Sequence, residues 1–451
     1  MSRLLGASLL SLVLITGCGS TAPSPAGSPP TGASASPASS QATTSPSLAP
    51  TPTPDPLASL AWQPIGTIAS PNIRGVVGFA DGYVAVDSTL TVWFSRGGAT
   101  WQASKLPFKV KKDSHGNKLE ADVQAITTDG TRVLVVGAYE REPCRPGPAL
   151  TGGGPECPLA PLAWISDDGR TWTSAYPGPL PADPKGYDQG SEFVAAWPVP
   201  TGGWDAALSY WNGESLHGRD LMHSADGLKW TALEPAPSTV TNDSDPFPWT
   251  HDGVADGSGL RLLWQGWSDF TREPFASGAG RPTFTLATSP DGRTWTAIDG
   301  FDGKDVEVTA GLAPTAEPSS PWILAGASGF ADENTSVPTL WTSTDTSTWT
   351  ATILPTPNGL IATPDGVLIR GVQSLVDGSI GYVAVAAAWD GEQADQATWL
   401  SHDGLTWTAM EHSSSGSVFG PGIVADGPAG VIGIGPDQTD PDHAVAVWQL
   451  R

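Results

Sequence analysis

The stretch SDDGRTWT at residues 166–173 returns almost letter for letter as SPDGRTWT at 289–296 and SHDGLTWT at 401–408. Relaxed to S-x-D-G-x-T-W, it occurs six times: SRGGATW (95–101), SDDGRTW (166–172), SADGLKW (224–230), SPDGRTW (289–295), STDTSTW (343–349) and SHDGLTW (401–407). Irregular spacing around a strict motif describes one structural unit with connections of variable length. Each copy follows a short alternating apolar segment (LTVWFS, PLAWIS, PTLWTS) and precedes a second one of the TWTAI or TWTAT kind. Two β-rich segments around an Asp-Gly turn predict a hairpin. Upstream lies a more continuous apolar segment such as RVLVVGAY or PWILAGAS, and before it a first one such as IRGVVGFAD or DVQAITTDG. Each unit therefore holds four strands, with the motif joining the third to the fourth. No segment sustains a 3.6-residue period, so little helix is expected.

An aspartate beside a glycine invites a catalytic reading, and the copies argue against it. Asp168, Asp226, Asp291, Asp345 and Asp403 recur around the chain, whereas the first copy has Gly97 in that place. The glycine is Thr346 in the fifth copy and the threonine is Lys229 in the third. The tryptophan is present every time, as Trp101, Trp172, Trp230, Trp295, Trp349 and Trp407. A residue repeated in this way serves a turn, with Asp and Ser accepting from free amides and Gly supplying a left-handed backbone.

Four-stranded units repeated in a ring predict an all-β fold, a β-propeller. The motif resembles the Asp-box, or BNR repeat, of sialidase-like and sortilin-like propellers, in a form one residue shorter between Ser and Trp. The resemblance spans the globular part and implies that the Asp-boxes lie away from the ligand face. After the sixth motif, FGPGIVADG, VIGIG and HAVAVWQL read as three further strands, while LAWQPIG (60–66) reads as a fourth strand without a hairpin, Trp62 matching the motif Trp. Seven blades closed by the N-terminal strand account for both ends, and six blades with a stray hairpin is the alternative.

The chain divides into residues 1–17, 18–57 and 58–451. MSRLLGASLLSLVLITGC carries one basic residue before an apolar run too short to span a bilayer, as in a signal peptide. ITGC resembles the lipobox of bacterial lipoproteins, which implies a signal peptide ending at residue 17 and lipid on Cys18; an ordinary secretory signal is the alternative. The expectation is a protein lipid-anchored to the cell membrane on its extracytoplasmic face. Residues 18–57, rich in Pro, Ser and Ala, predict a disordered tether. With 46 acidic against 22 basic residues the formal charge is −24, which excludes nucleic acid as a natural partner. Of three cysteines, Cys18 is assigned to lipid, and Cys144 and Cys157 in a Gly/Pro loop are expected to form a disulfide.

Propeller ligands meet the face built from the connections opposite the Asp-boxes. The starts of the inner strands there offer Arg74, Asp122, Glu192, His251, Glu307 and Arg370. Carboxylates of this ring are candidates for general acid and base in glycoside cleavage, and its arginines for holding a carboxylate. The sialidase pattern is incomplete: Arg74 stands where that family's RIP arginine would, without the Pro, Arg370 is a second candidate, and no third Arg or Tyr–Glu pair stands out. No catalytic residue is assigned and no cofactor is expected. Asp437, Asp440 and Asp442 are candidate Ca²⁺ ligands without a recognisable Ca²⁺ loop. The expected function is a monomeric, surface-tethered module binding a glycan or an envelope protein. A sialidase-like glycoside hydrolase using inner-strand carboxylates is the alternative.

Overall fold

The computed structural model describes residues 56–109, 112, 114, 116, 118–142, 144–146, 155–176, 190–211, 216–233, 248–269, 280–315, 320–330, 336–357, 368–369, 371–389, 394–410, 421–437 and 439–451. The signal segment, Cys18 and most of the tether lie outside them. Pro54–Arg451 forms a compact unit.

The repeat predicted from the motif is the architecture observed: seven four-stranded antiparallel blades. Their inner strands are Ile73–Phe79, Ala121–Thr128, Ser191–Pro198, Pro248–Ala255, Val306–Leu312, Ser374–Gly378 and Ile423–Gly427, in blades one to seven. Each inner strand contacts the next, and the seventh contacts the first. In blade seven, Val445–Leu450 pairs with Trp62–Ile68, Trp62 lying opposite Leu450 and Ile68 opposite Val445. In the sixth blade, Leu368–Ile369 pairs with Gly381–Trp389 ahead of Ser374–Gly378, so the first strand read from LIRGVQSLVDG is interrupted.

The core is partitioned into seven clusters, one between each pair of neighbouring blades. Between blades one and two, for example, Phe79, Val84 and Phe94 meet Val123, Leu162 and Trp164. Between blades seven and one, Ile432, Ile434 and Val447 meet Val76, Tyr83 and Ala85. The motif tryptophans sit in these interfaces: Trp172 in the first-second cluster, Trp230 in the second-third, Trp295 in the third-fourth, Trp349 in the fourth-fifth, Trp407 in the fifth-sixth and Trp101 in the seventh-first. Trp62 occupies the sixth-seventh, as its match to the motif predicts, and donates from Nε1 to Thr398 of blade six.

The motif turn works as its composition suggests. Asp291 Oδ1 accepts from the amides of Arg293 at 2.8 Å and Thr294 at 2.7 Å, and Ser289 Oγ accepts from Gly292 N at 2.7 Å. The same pair of amides binds Asp168, Asp226, Asp345 and Asp403 in their copies. The fourth residue of the motif is left-handed throughout, from φ 64° at Thr346 to 79° at Gly98. A side chain at Gly169 would also run into Val84, Phe94 and Phe79 of the preceding blade. Glycine thus serves conformation and inter-blade packing together. Trp295 Nε1 closes the turn by donating to Gly292 O at 3.2 Å.

The third-fourth interface has the smallest apolar cluster, and polar groups complete it. Asp205, 1 % exposed, accepts from Arg261 Nε of blade four at 2.5 Å and pairs with His223 Nδ1 at 2.7 Å. Removing one member of such a buried pair strands the other, so the network ties blade three to blade four at a cost in desolvation.

Two outcomes follow from the repeat. Trp172→Ala should lower unfolding free energy by about 3–5 kcal/mol, the cost of a large core truncation; an unchanged melting temperature in calorimetry would contradict the clamp role. The Thr294 and Arg293 amides hold the Asp291 carboxyl at about 2, below its ordinary 3.8. A depressed carboxylate contributes stability that is present above its ordinary value and lost as pH falls through the folded one. Asp291→Asn should therefore lose melting temperature less steeply than wild type between about pH 4 and 2, and identical slopes would contradict this.

Candidate functional site

Antiparallel order places the motif turns and the turns from inner to second strands at one end of the ring. The connections between second and third strands, and those between blades, share the other. At that second end the inner strands begin, and five of them carry a β-bulge near their start. The register shifts lie between Ile73 and Gly75, Val123 and Ala125, Phe193 and Ala195, Pro248 and Thr250, and Val308 and Ala310. A bulge re-aims the side chain it displaces. The displaced residues Arg74, Gln124 and Thr309 all line an axial cavity of about 690 Å³ whose wall draws on all seven inner strands.

Three of the six residues singled out from sequence come together here. Gln124 Nε2 donates to Asp122 Oδ2 at 3.4 Å and to Glu192 Oε2 at 3.3 Å, tying blade two to blade three. Glu192 is 8 % exposed. Asp122 lies in the field of Arg74. Burial raises the Asp122 carboxyl above its ordinary range, while the Arg74 charge and the hydrogen bond from Val123 N oppose that rise. Guanidinium, amide and two carboxyls thus share one stretch of the ring.

Glu307 holds the same register level in blade five, opposite Ala327 as Asp122 is opposite Ala138 and Glu192 opposite Ser209, and blade five supplies the cavity wall from Thr309 to Ala313. The side chain of His251 and the whole of Arg370 lie outside the described residues. Asp437, Asp440 and Asp442 lie at the blade-seven connection on the same end. Asp437 accepts from its own turn at Thr439, and Asp440 pairs with His443 Nδ1 at 2.6 Å. Among the described residues no group of three or more His, Cys, Asp or Glu side chains could hold a metal. Cys144 and Cys157 are joined by a disulfide in the blade-two connection at this end, as the sequence predicts.

Four wall residues escaped the sequence: Gln124, Thr309, Gln373 and Asp252. The first two depend on the bulges, which nothing in the alternation signals. Gln373 sits in the break of the sixth inner strand. Asp252 stood in view beside His251, and aligning the inner strands backwards from their turns, rather than forwards from their starts, would have isolated it.

No family profile matches the chain and no curated protein sequence is similar to it. Several solved structures share its outline. The Trypanosoma rangeli sialidase is 12% identical, with a TM-score of 0.40 over 84% of this chain and 53% of that one. The Aspergillus awamori exo-inulinase is also 12% identical, with a TM-score of 0.40 over 86% of this chain and 98% of its own. A polysaccharide lyase, an ulvan lyase of family PL25, is 8% identical, with a TM-score of 0.39 over 84% and 95%. The chain spans about half the length of the sialidase. Function is argued from the site.

Removing the Arg74 charge takes away a stabiliser of the Asp122 carboxylate. Arg74→Gln should therefore raise the Asp122 pKa further, read by carboxyl ¹³C NMR titration; no upward movement would show the two groups uncoupled.

Proposed function

We propose that the protein is a carbohydrate-binding propeller held at the outer face of the cell membrane by lipid on Cys18, the tether spacing it from the surface. The supporting observation is the cluster in which one amide of Gln124 bridges Asp122 and Glu192 beside Arg74 at the cavity mouth. Sugar hydroxyls donate and accept at once, so they pair with carboxylate, amide and guanidinium groups held at fixed spacing. Ionised partners strengthen such bonds. The cavity lies within the roughly 300–1,000 Å³ of small-molecule sites. Held by a disulfide, the blade-two connection is a natural rim for the longer part of a glycan.

Cleavage is a second reading, favoured by one feature of the same cluster. Two carboxyl oxygens bonded to one amide nitrogen at 3.4 and 3.3 Å lie at most about 6.7 Å apart, compatible with the separations of about 5–9.5 Å used by glycosidases, and a raised carboxyl suits the acid. Asp122 would then protonate the leaving oxygen, with Glu192 as nucleophile or base.

A glycan array probed with residues 54–451 tests the first reading, alongside a pull-down from envelope extract. Array hits that Glu192→Ala abolishes are expected. A blank array with one reproducible envelope protein would replace the glycan with a protein partner. Turnover of an array-positive glycoside that Glu192→Gln abolishes would convert the module into an enzyme.

A further inference from the structure

Registered on their second strands, the inner strands align Asp252 with Gly75, Ala125, Ala195 and Ala310, and with Ser374 and Ile423 in blades six and seven. Four blades place almost no side chain at this level, where strands crowd the axis. Blade four places a carboxyl. Its neighbours are no kinder to charge: Gly253 abuts Trp197, Gly311 abuts Trp264, and Asp252 itself lies opposite Trp264 in the sheet. Among the described residues its carboxylate accepts one hydrogen bond, from Gly253 N at 2.8 Å, and makes no ion pair within the bridging distance. The adjoining strands carry Glu192 in blade three, Glu307 in blade five, and Arg261 and Asp269 at the two ends of its own second strand; Arg261 is already committed to Asp205. Burial pushes the Asp252 carboxyl up to about 7.

Alanine would fit this place, as its counterparts show, and would spare the fold a poorly compensated carboxyl. A group that costs stability and faces a cavity is a candidate for ligand contact. The cavity wall offers Arg74 and Gln124 from blades one and two, Asp252 from blade four, and Gln373 from blade six. With Asp122, Glu192 and Glu307 at the mouth, the described charges are four carboxyls against one guanidinium. That balance disfavours an anionic ligand.

We infer that the axial cavity takes one neutral, hydroxyl-rich sugar ring, and that Asp252 holds it from the wall across the axis from Arg74. The inference rests on the carbohydrate reading and narrows it: the recognised unit is a neutral ring, and its deepest contact is a residue outside the Asp122–Glu192 cluster.

The test has two arms. Melting temperatures of wild type, Asp252→Ala and Asp252→Asn are compared at pH 5 and pH 8.5. A raised carboxyl in the fold loses stability as pH climbs from its ordinary value toward 7. Asp252→Ala should therefore melt higher than wild type, by more at pH 8.5 than at pH 5. An Ala variant that melts lower at both would make Asp252 a structural residue and overturn the inference. In the second arm, saturation-transfer NMR and titration use glucose, galactose and mannose, with glucuronate as the anionic comparator. The expected result is binding of at least one neutral sugar in preference to glucuronate, weakened about tenfold by Asp252→Ala, the loss of one buried hydrogen bond. Preference for glucuronate, equal binding by the variants, or array hits without any monosaccharide binding overturns the inference while leaving the carbohydrate module standing. No carbohydrate bound in either format overturns both.

Discussion

One turn carries the fold: a left-handed residue at the end of each hairpin, seated against the blade before it. At Gly169 the backbone needs φ 68° and the space beyond Cα is filled by Val84, Phe94 and Phe79. Conformation and packing thus converge on one position, and the following tryptophan drives the same contact from the other side. Because the turn of one blade is wedged into the core of another, no blade has a complete core alone. Thr346 shows how firmly the geometry is imposed, since a β-branched residue adopts φ 64° there, with its hydroxyl donating to Asp345 O at 2.6 Å.

That division of labour frees the opposite end. With the motif aspartates committed to backbone amides, their carboxylates have little capacity left for a ligand. At the inner-strand starts Gln124 instead bonds side chains, those of Asp122 and Glu192. Bulges turn Arg74, Gln124 and Thr309 toward the axis, and the surrounding blades, locked by their seven interfaces, hold these groups in fixed positions. A binding surface gains from such a frame, because little ordering remains to be done when a ligand arrives.

The repeat, the four-strand unit and the count of seven were legible because they depend on local signals: an Asp-Gly turn, a tryptophan at fixed offset, strand alternation. Trp62 was legible for the same reason, matching the motif Trp far from any hairpin. The cavity was only half legible. Asp122 and Glu192 lie where strand starts put them, but Arg74, Gln124 and Thr309 reach the axis through register shifts that no residue pattern announces. Asp252 is the one carboxyl among the described residues of a column otherwise made of Gly75, Ala125, Ala195, Ala310, Ser374 and Ile423, a contrast visible only once register is known. The interface of Asp205 with Arg261 joins residues from different blades, and no spacing in the chain connects them.

The central claim is that the motif end is architecture and the opposite end is the working surface. Paired variants separate the two most directly: glycan binding and melting temperature are measured together for Gln124→Ala at the mouth and Trp295→Ala in the motif. The account predicts that Gln124→Ala loses binding with its melting temperature nearly unchanged, whereas Trp295→Ala melts well below wild type yet binds normally while folded. Binding lost through folded Trp295→Ala and kept by Gln124→Ala would contradict it.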